Sequence, residues 1–212
     1  MRTFIGLGGN IGEPAAAFRA AVAELRAIGQ VVRVSSLYDS VPHDLPGRRD
    51  QPHFLNAALE LETDLEPTAL LAELKRLELA LGRDPNARRW GPRSIDLDIL
   101  AIDGRCVTDP ENDLIVPHPR LQERRFALEP VAELDPQLRP WRGCSDLRVE
   151  LTISDLLATV SQQEVARIGG PGWADPVSLN ERGSVESTIR AYFEALTRAD
   201  VDGVVALDAR GG

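Results

Sequence analysis

Cysteine is nearly absent: Cys106 and Cys144 are the only two in 212 residues. They do not form a Cys-x-x-Cys pair and no matching His pair accompanies them. Neither a disulfide framework nor a structural zinc site is therefore supported, and both read as small, partly buried side chains. Lysine is scarcer still, with Lys75 alone among 24 basic residues, and aromatic residues make up 5% of the chain. No apolar run approaches the roughly 18 residues of a membrane-spanning helix. No charged segment followed by a long apolar stretch opens the chain, so the expected location is the cytoplasm.

Basic charge is also in deficit, with 24 Lys+Arg against 33 Asp+Glu and a net charge of -9. That balance speaks against nucleic acid and anionic membrane surfaces as partners. With 43% hydrophobic and 27% charged residues the chain has the composition of a globular protein. The deficit is uneven: residues 1–82 hold 11 acids and 8 bases, residues 83–125 hold 8 of each, and residues 126–212 hold 14 and 8. Anion binding is least opposed in the middle third, where every base is an arginine, whose planar fork grips phosphate oxygens bidentately.

Periodicity predicts a strand over Arg2–Leu7, a turn at Gly8–Gly12, and a helix from Pro14 carrying Phe18, Ala21, Val22 and Leu25 until Gly29. Val31–Tyr38 reads as one β-branched strand and Ser40–Pro52 as a loop. Asn56–Thr63 alternates like a strand, and Glu66–Leu81 places Leu70, Leu74 and Leu77 at helical spacing. A polar arginine loop, 83–94, runs into a strand over Ile95–Ile102, and a second polar stretch covers Asp103–Asp113. Helices are expected over Arg124–Leu134 and Ile153–Val165, the latter capped by Ser154. Gly169–Gly172 reads as a linker, followed by one amphipathic helix over Val185–Leu196.

Asp96-Leu97-Asp98 is the most informative tripeptide. Strand alternation sends both carboxylates to one side while Ile95, Leu97 and Ile99 enter the core. Two such carboxylates repel unless a cation neutralises them, and hard oxygen ligands suit Mg²⁺. Alone, the pair also fits the wet face of an antiparallel sheet. The arginine loop ends just before it, placing Arg93 and either Arg88 or Arg89 beside the carboxylates, as phosphoryl transfer requires. Trp90 in so polar a loop points to a contact. Phe54-Leu55-Asn56 pairs an aromatic ring with an amide able to read a heterocycle edge, although core packing and strand-end capping explain the same residues. His118, between two prolines and near Arg124 and Phe126, fits either phosphate donation or a turn. The Gly8–Gly12 turn lacks the Lys-Ser/Thr of a phosphate loop and the spacing of a dinucleotide fingerprint.

Six blocks occur in order: Leu7–Gly12, Ser35–Tyr38, Asp50–Ala57, Leu81–Arg83, Arg89–Ile99 and Val116–Arg120. Together they resemble the hydroxymethyl-dihydropterin pyrophosphokinase family of folate biosynthesis. The resemblance implies a ferredoxin-like α+β domain over 1–168, with residues 169–212 left as linker and C-terminal extension to which no function is assigned. It implies an ATP-dependent transferase in which the pterin hydroxymethyl oxygen attacks the β-phosphorus of ATP, yielding the pterin diphosphate and AMP. Two Mg²⁺ ions on Asp96 and Asp98 would bridge the triphosphate. By matched position, Ser40, Asn56, Phe54, Phe126 and Trp90 would hold the pterin, while Glu78, Arg83, Arg88, Trp90, Arg93, Ile99, His118 and Arg124 would line the nucleotide. Arg83 and Arg93 are best placed for the phosphates, and no side chain stands out as general base. Pro85 stands where the family often has a further Arg, and Phe54 lacks the hydroxyl some members carry. A monomer is expected, with association to neighbouring folate enzymes as an option. A regulatory paralogue that binds nucleotide or pterin without turnover is the alternative, and retention of both aspartates speaks against it.

Overall fold

A computed structural model describes residues 1–42, 51–84 and 91–175. Along the chain lie β1 (Arg2–Gly9), α1 (Pro14–Leu25), β2 (Gln30–Val34), β3 (Leu37–Ser40), β4 (Phe54–Glu62), α2 (Pro67–Ala80), β5 (Asp96–Ile102), β6 (Val107–Asp109), β7 (Leu114–Val116), α3 (Arg125–Leu134), α4 (Ile153–Thr159) and β8 (Val165–Gly169). The main sheet has the order β5-β1-β4-β3-β8, with β2 also joined to β4, and its pairings are antiparallel. β6 and β7 form a separate two-stranded sheet. This is the expected α+β architecture.

Alternation along the strands builds two cores. Phe4, Ala58 and Leu100 pack with Leu128, Val131 and Leu134 of α3 and with Ile153 and Leu156 of α4. Ile5, Leu7, Leu59, Leu61 and Leu97 point the other way. The buried stripes Phe18, Val22 and Leu25 of α1 and Leu70, Leu74 and Leu77 of α2 cover that face. Pro14 and Pro67 open these two helices, at positions where a missing N–H leaves no intrahelical bond unmade.

Four expectations are corrected. The single strand over Val31–Tyr38 is broken at Ser35–Ser36, because serine side chains replace ladder groups there. Ser35 Oγ accepts from the Ala58 N–H at 2.9 Å, and Glu133 of α3 accepts from both the N–H and the hydroxyl of Ser36 at 2.8 Å. The helix over 153–165 stops at Thr159, and its cap is Thr152, not Ser154. Thr152 and Asp155 form a reciprocal capping box. β8 begins at Val165, the last residue of the expected helix, and pairs with β3. The polar stretch 103–113 contains β6.

The fourth correction concerns the cysteines. Cys106 and Cys144 are joined in a disulfide with their Cα atoms 5.6 Å apart. Their 38-residue separation gave no sign of it. The backbone supplies the cause: Gly143, at φ +87°, lies so close to Gly104 that an added Cβ would meet its carbonyl oxygen at 2.9 Å.

Gly169 closes β8, and Trp173 just beyond it is buried edge-on against Phe18 at 6.0 Å, its indole N–H donating to the Ser35 carbonyl at 2.7 Å. The first compact unit accordingly runs to Ala174. No helix among the described residues is long and apolar enough to cross a membrane. The helix expected over Val185–Leu196, and the loop residues Arg88 and Trp90, lie outside the described residues.

Candidate active site

The floor of the site is a row across three strands. Gly8 of β1 faces Asn56 of β4 on one side and Asp96 of β5 on the other, and Gly6 faces Ala58 and Asp98. A Cβ on Gly8 would stand 3.9 Å from Oδ1 of Asn56 and 4.0 Å from Cβ of Asp96. Glycine there leaves the sheet surface open between an amide and a carboxylate about 10 Å apart, two strand spacings.

Both oxygens of Asp96 are engaged. Arg83 Nη1 donates to Oδ1 at 2.6 Å and Arg93 Nη1 to Oδ2 at 2.6 Å. Burial opposes the charge on Asp96, but Arg93 and Arg83 outweigh it and hold the carboxyl below its usual range. Asp98 receives less help, since Lys75 and Arg124 favour its charge without outweighing what opposes it. Burial, and then the charge of Asp96, push it up to about 6. Glu78 of α2 stands behind the pair, 1% exposed. One of its oxygens accepts from the Leu97 N–H at 2.7 Å and from Lys75 Nζ at 3.0 Å, and the other is ion-paired with Arg83. Burial raises Glu78 above the ordinary carboxylate range despite these partners.

This donor set fits a hard divalent cation only in part. Among the described residues no cluster of three or more His, Cys, Asp or Glu side chains stands ready for a metal. Two carboxylates on one face supply a partial shell, which Mg²⁺ characteristically completes with waters and phosphate oxygens.

His118 follows the cis Val116–Pro117 bond, and its N–H donates to the Leu100 carbonyl at 2.9 Å. Its Nδ1 accepts from the Arg120 N–H at 3.2 Å, so the neutral ring carries its proton on Nε2. Burial, then the nearby Arg124 and Arg120, push the imidazole down to about 4. The Arg124 guanidinium lies over the Phe126 ring, 5.6 Å from its centroid.

On the other side of Gly8, Asn56 Nδ2 donates to Ser40 Oγ at 2.9 Å and to the Phe54 carbonyl at 3.1 Å. Its Oδ1 is left toward the open floor. Ser40 and Phe54 are cross-strand partners, so these three expected residues form one group. Ile99 is buried in β5, on the sheet face opposite the two carboxylates. Sequence reasoning missed Lys75, the half-buried pairing of Asp39 with His53 at 2.8 Å, and Asn10. Asn10 reads locally as a turn former, and its side-chain partners lie 41 to 83 residues away. No local pattern encodes such contacts.

Comparison with known proteins bears on this geometry. The family model described as 7,8-dihydro-6-hydroxymethylpterin-pyrophosphokinase (HPPK) matches residues 4–136. A 2-amino-4-hydroxy-6-hydroxymethyldihydropteridine pyrophosphokinase of Methylorubrum extorquens is 45% identical over 139 residues, 65% of this chain and 84% of that one. One of the same name from Bacillus subtilis is 44% identical over 137 residues, 64% of this chain and 78% of that one. A crystal structure of Plasmodium falciparum HPPK-DHPS with pterin and p-hydroxybenzoate superposes with a TM-score of 0.56 at 13% identity. It covers 74% of this chain and 43% of that one, a likeness of fold alone.

Proposed function

This chain belongs to the 7,8-dihydro-6-hydroxymethylpterin-pyrophosphokinase family, and we propose from that premise how its own residues carry the reaction. It is an ATP-dependent enzyme that transfers pyrophosphate to the hydroxymethyl group of 6-hydroxymethyl-7,8-dihydropterin in folate biosynthesis. The single observation that supports the residue assignment is the row Asn56, Gly8, Asp96, which puts an amide and a carboxylate pair on one open face.

Asn56, fixed by Ser40 and the Phe54 carbonyl, presents Oδ1 to the pterin edge, and Phe54 and Phe126 flank the ring. Arg83 and Arg93 exchange Asp96 for phosphate oxygens, supplying positive charge where it builds on the transferred group. Neutral His118 offers an Nε2–H donor to the nucleotide, beside Arg124. Glu78 holds Lys75 and Arg83 in place through its buried carboxylate. Asp96 and Asp98 are the residues that would hold Mg²⁺, two ions in this reading, and bound Mg²⁺ supplies charge neutralisation and alignment for in-line displacement. Ile99 contributes backbone from β5 to the nucleotide side. Arg88 and Trp90 enter from sequence alone, as residues of the segment before Gly91.

The substrates are water-soluble metabolites, and we place the enzyme in the cytoplasm, as a monomer. Association with a neighbouring folate enzyme is a further proposal, suggested by the Plasmodium falciparum chain that carries HPPK together with DHPS. The test is a panel of heteroaromatic alcohols incubated with ATP and Mg²⁺. AMP release with hydroxymethyl-dihydropterin and not with the others supports the reading. Tight binding of ATP and pterin without AMP overturns it and favours a regulatory paralogue.

A further inference from the structure

Asn10 sits in the turn after β1 and is 6% exposed. Its amide joins two segments that approach the site from opposite sides. Oδ1 accepts from the Arg93 N–H at 2.9 Å, and the Asn10 backbone N–H returns a bond to the Arg93 carbonyl at 2.9 Å. Nδ2 donates to the Pro52 carbonyl at 3.2 Å and to Gln51 Oε1 at 3.3 Å. Arg93 carries the guanidinium bound to Asp96. Pro52 leads within two residues to Phe54 and within four to Asn56 on β4. The close approach depends on Gly9, where a Cβ would meet the Ser94 carbonyl oxygen at 2.5 Å.

We propose that Asn10 is a positioning residue that sets the arginine side of the site against the pterin side, through one amide that bonds the backbone at Arg93 and at Pro52. The inference rests on the residue assignment above. Chemistry makes the role specific to an amide, since the same side chain must accept from a backbone N–H and donate to a backbone carbonyl. A buried backbone group left without its partner is destabilised, so each half of the amide controls one side.

Aspartate separates the halves: it keeps the acceptor for Arg93 and loses the donor for Pro52, against whose carbonyl it places negative charge. Steady-state AMP formation by the full chain is measured while each substrate is varied, for wild type, Asn10→Asp, Asn10→Ala and Gln51→Ala, with thermal unfolding of each. The expected result for Asn10→Asp is a KM for pterin raised about tenfold with the KM for ATP within about twofold of wild type. For Asn10→Ala both KM values rise. If the Asn10 variants do not fold, Gln51→Ala decides, with a smaller rise confined to the pterin KM. An active wild type whose Asn10→Asp variant folds and keeps its pterin KM, or whose two KM values rise together in Asn10→Asp, overturns the proposal. So does an unchanged pterin KM in Gln51→Ala if that variant has to decide. A wild type that makes no AMP contradicts the reaction itself, which keeps the two failures distinct.

Discussion

Arg93 Nη1 donates to Oδ2 of Asp96 at 2.6 Å, and Arg83 takes the other oxygen at the same distance. The carboxylate assigned to the cation is thus held by two guanidinium groups. A divalent ion must displace them, and the triphosphate gives them somewhere to go. Binding of Mn²⁺, followed by electron paramagnetic resonance, should be weak to the protein alone and strengthen when an unreactive ATP analogue is added. Arg93→Ala should bind Mn²⁺ without nucleotide about tenfold more tightly than wild type, since a competing cation is gone. The same variant should lose AMP formation by about a hundredfold or more. Equal Mn²⁺ affinity in wild type and Arg93→Ala would show that the arginines do not guard the carboxylates.

The response to pH follows from two groups of opposite sign. His118 is pushed down to about 4 by burial and by Arg124 and Arg120, against about 6.5 in an unfolded chain. Between those values the unfolded chain holds the proton and the folded one does not, so this contribution is lost as pH falls from about 6.5 to about 4. Asp98 stands at about 6 when folded, above the unfolded value of about 3.9. Its contribution is present in acid and is lost as pH rises through about 6. Thermal unfolding between about pH 4 and about pH 8 should show His118→Gln losing less stability on acidification than wild type, and Asp98→Asn losing less on going from about pH 5 to about pH 7. Profiles parallel to wild type in both variants would refute the assignment.

Gly8 and Gly9 should respond differently to one methyl group. At Gly9 the methyl would meet a backbone oxygen at 2.5 Å, which cannot give way cheaply. Gly9→Ala should therefore lower stability by about 2 kcal/mol or more. At Gly8 the nearest atoms are 3.9 and 4.0 Å away. Gly8→Ala should fold within about 1 kcal/mol of wild type yet raise the KM for pterin, because its methyl stands on the floor between Asn56 and Asp96. Urea unfolding with steady-state kinetics reads both, and a stable Gly9→Ala protein would contradict the packing described.

The Cys106–Cys144 bond ties the turn after β5 to the segment beyond α3, at the end of β5 away from Asp96. Reduction, or Cys144→Ser, should lower unfolding stability by about 2 to 4 kcal/mol while leaving kcat within about twofold. An unchanged melting temperature in reductant would show that the bond does not contribute.

The helix carrying Leu70, Leu74 and Leu77 and the paired aspartates of β5 were legible because each is written in local periodicity. Period-two spacing alone put Asp96 and Asp98 on one side, and the structure agrees. What was not legible depends on partners distant in sequence. Ser35 and Ser36 break a strand that β-branched residues favour, because Ala58 and Glu133 await their side chains. β8 drew no strand reading, because what makes it a strand is the edge of β3, far away in sequence, that pairs with it. The disulfide and the four contacts of Asn10 share that origin: spatial neighbours contributed by segments folded elsewhere.

The most direct test of the account is AMP formation from ATP and 6-hydroxymethyl-7,8-dihydropterin, with and without Mg²⁺, in wild type, Asp96→Ala and Asp98→Ala. The account predicts pterin-dependent, Mg²⁺-dependent AMP in wild type and a loss of about a thousandfold or more in each folded variant. AMP formation that persists in either variant near the wild-type rate, or that proceeds without a divalent cation, would contradict it.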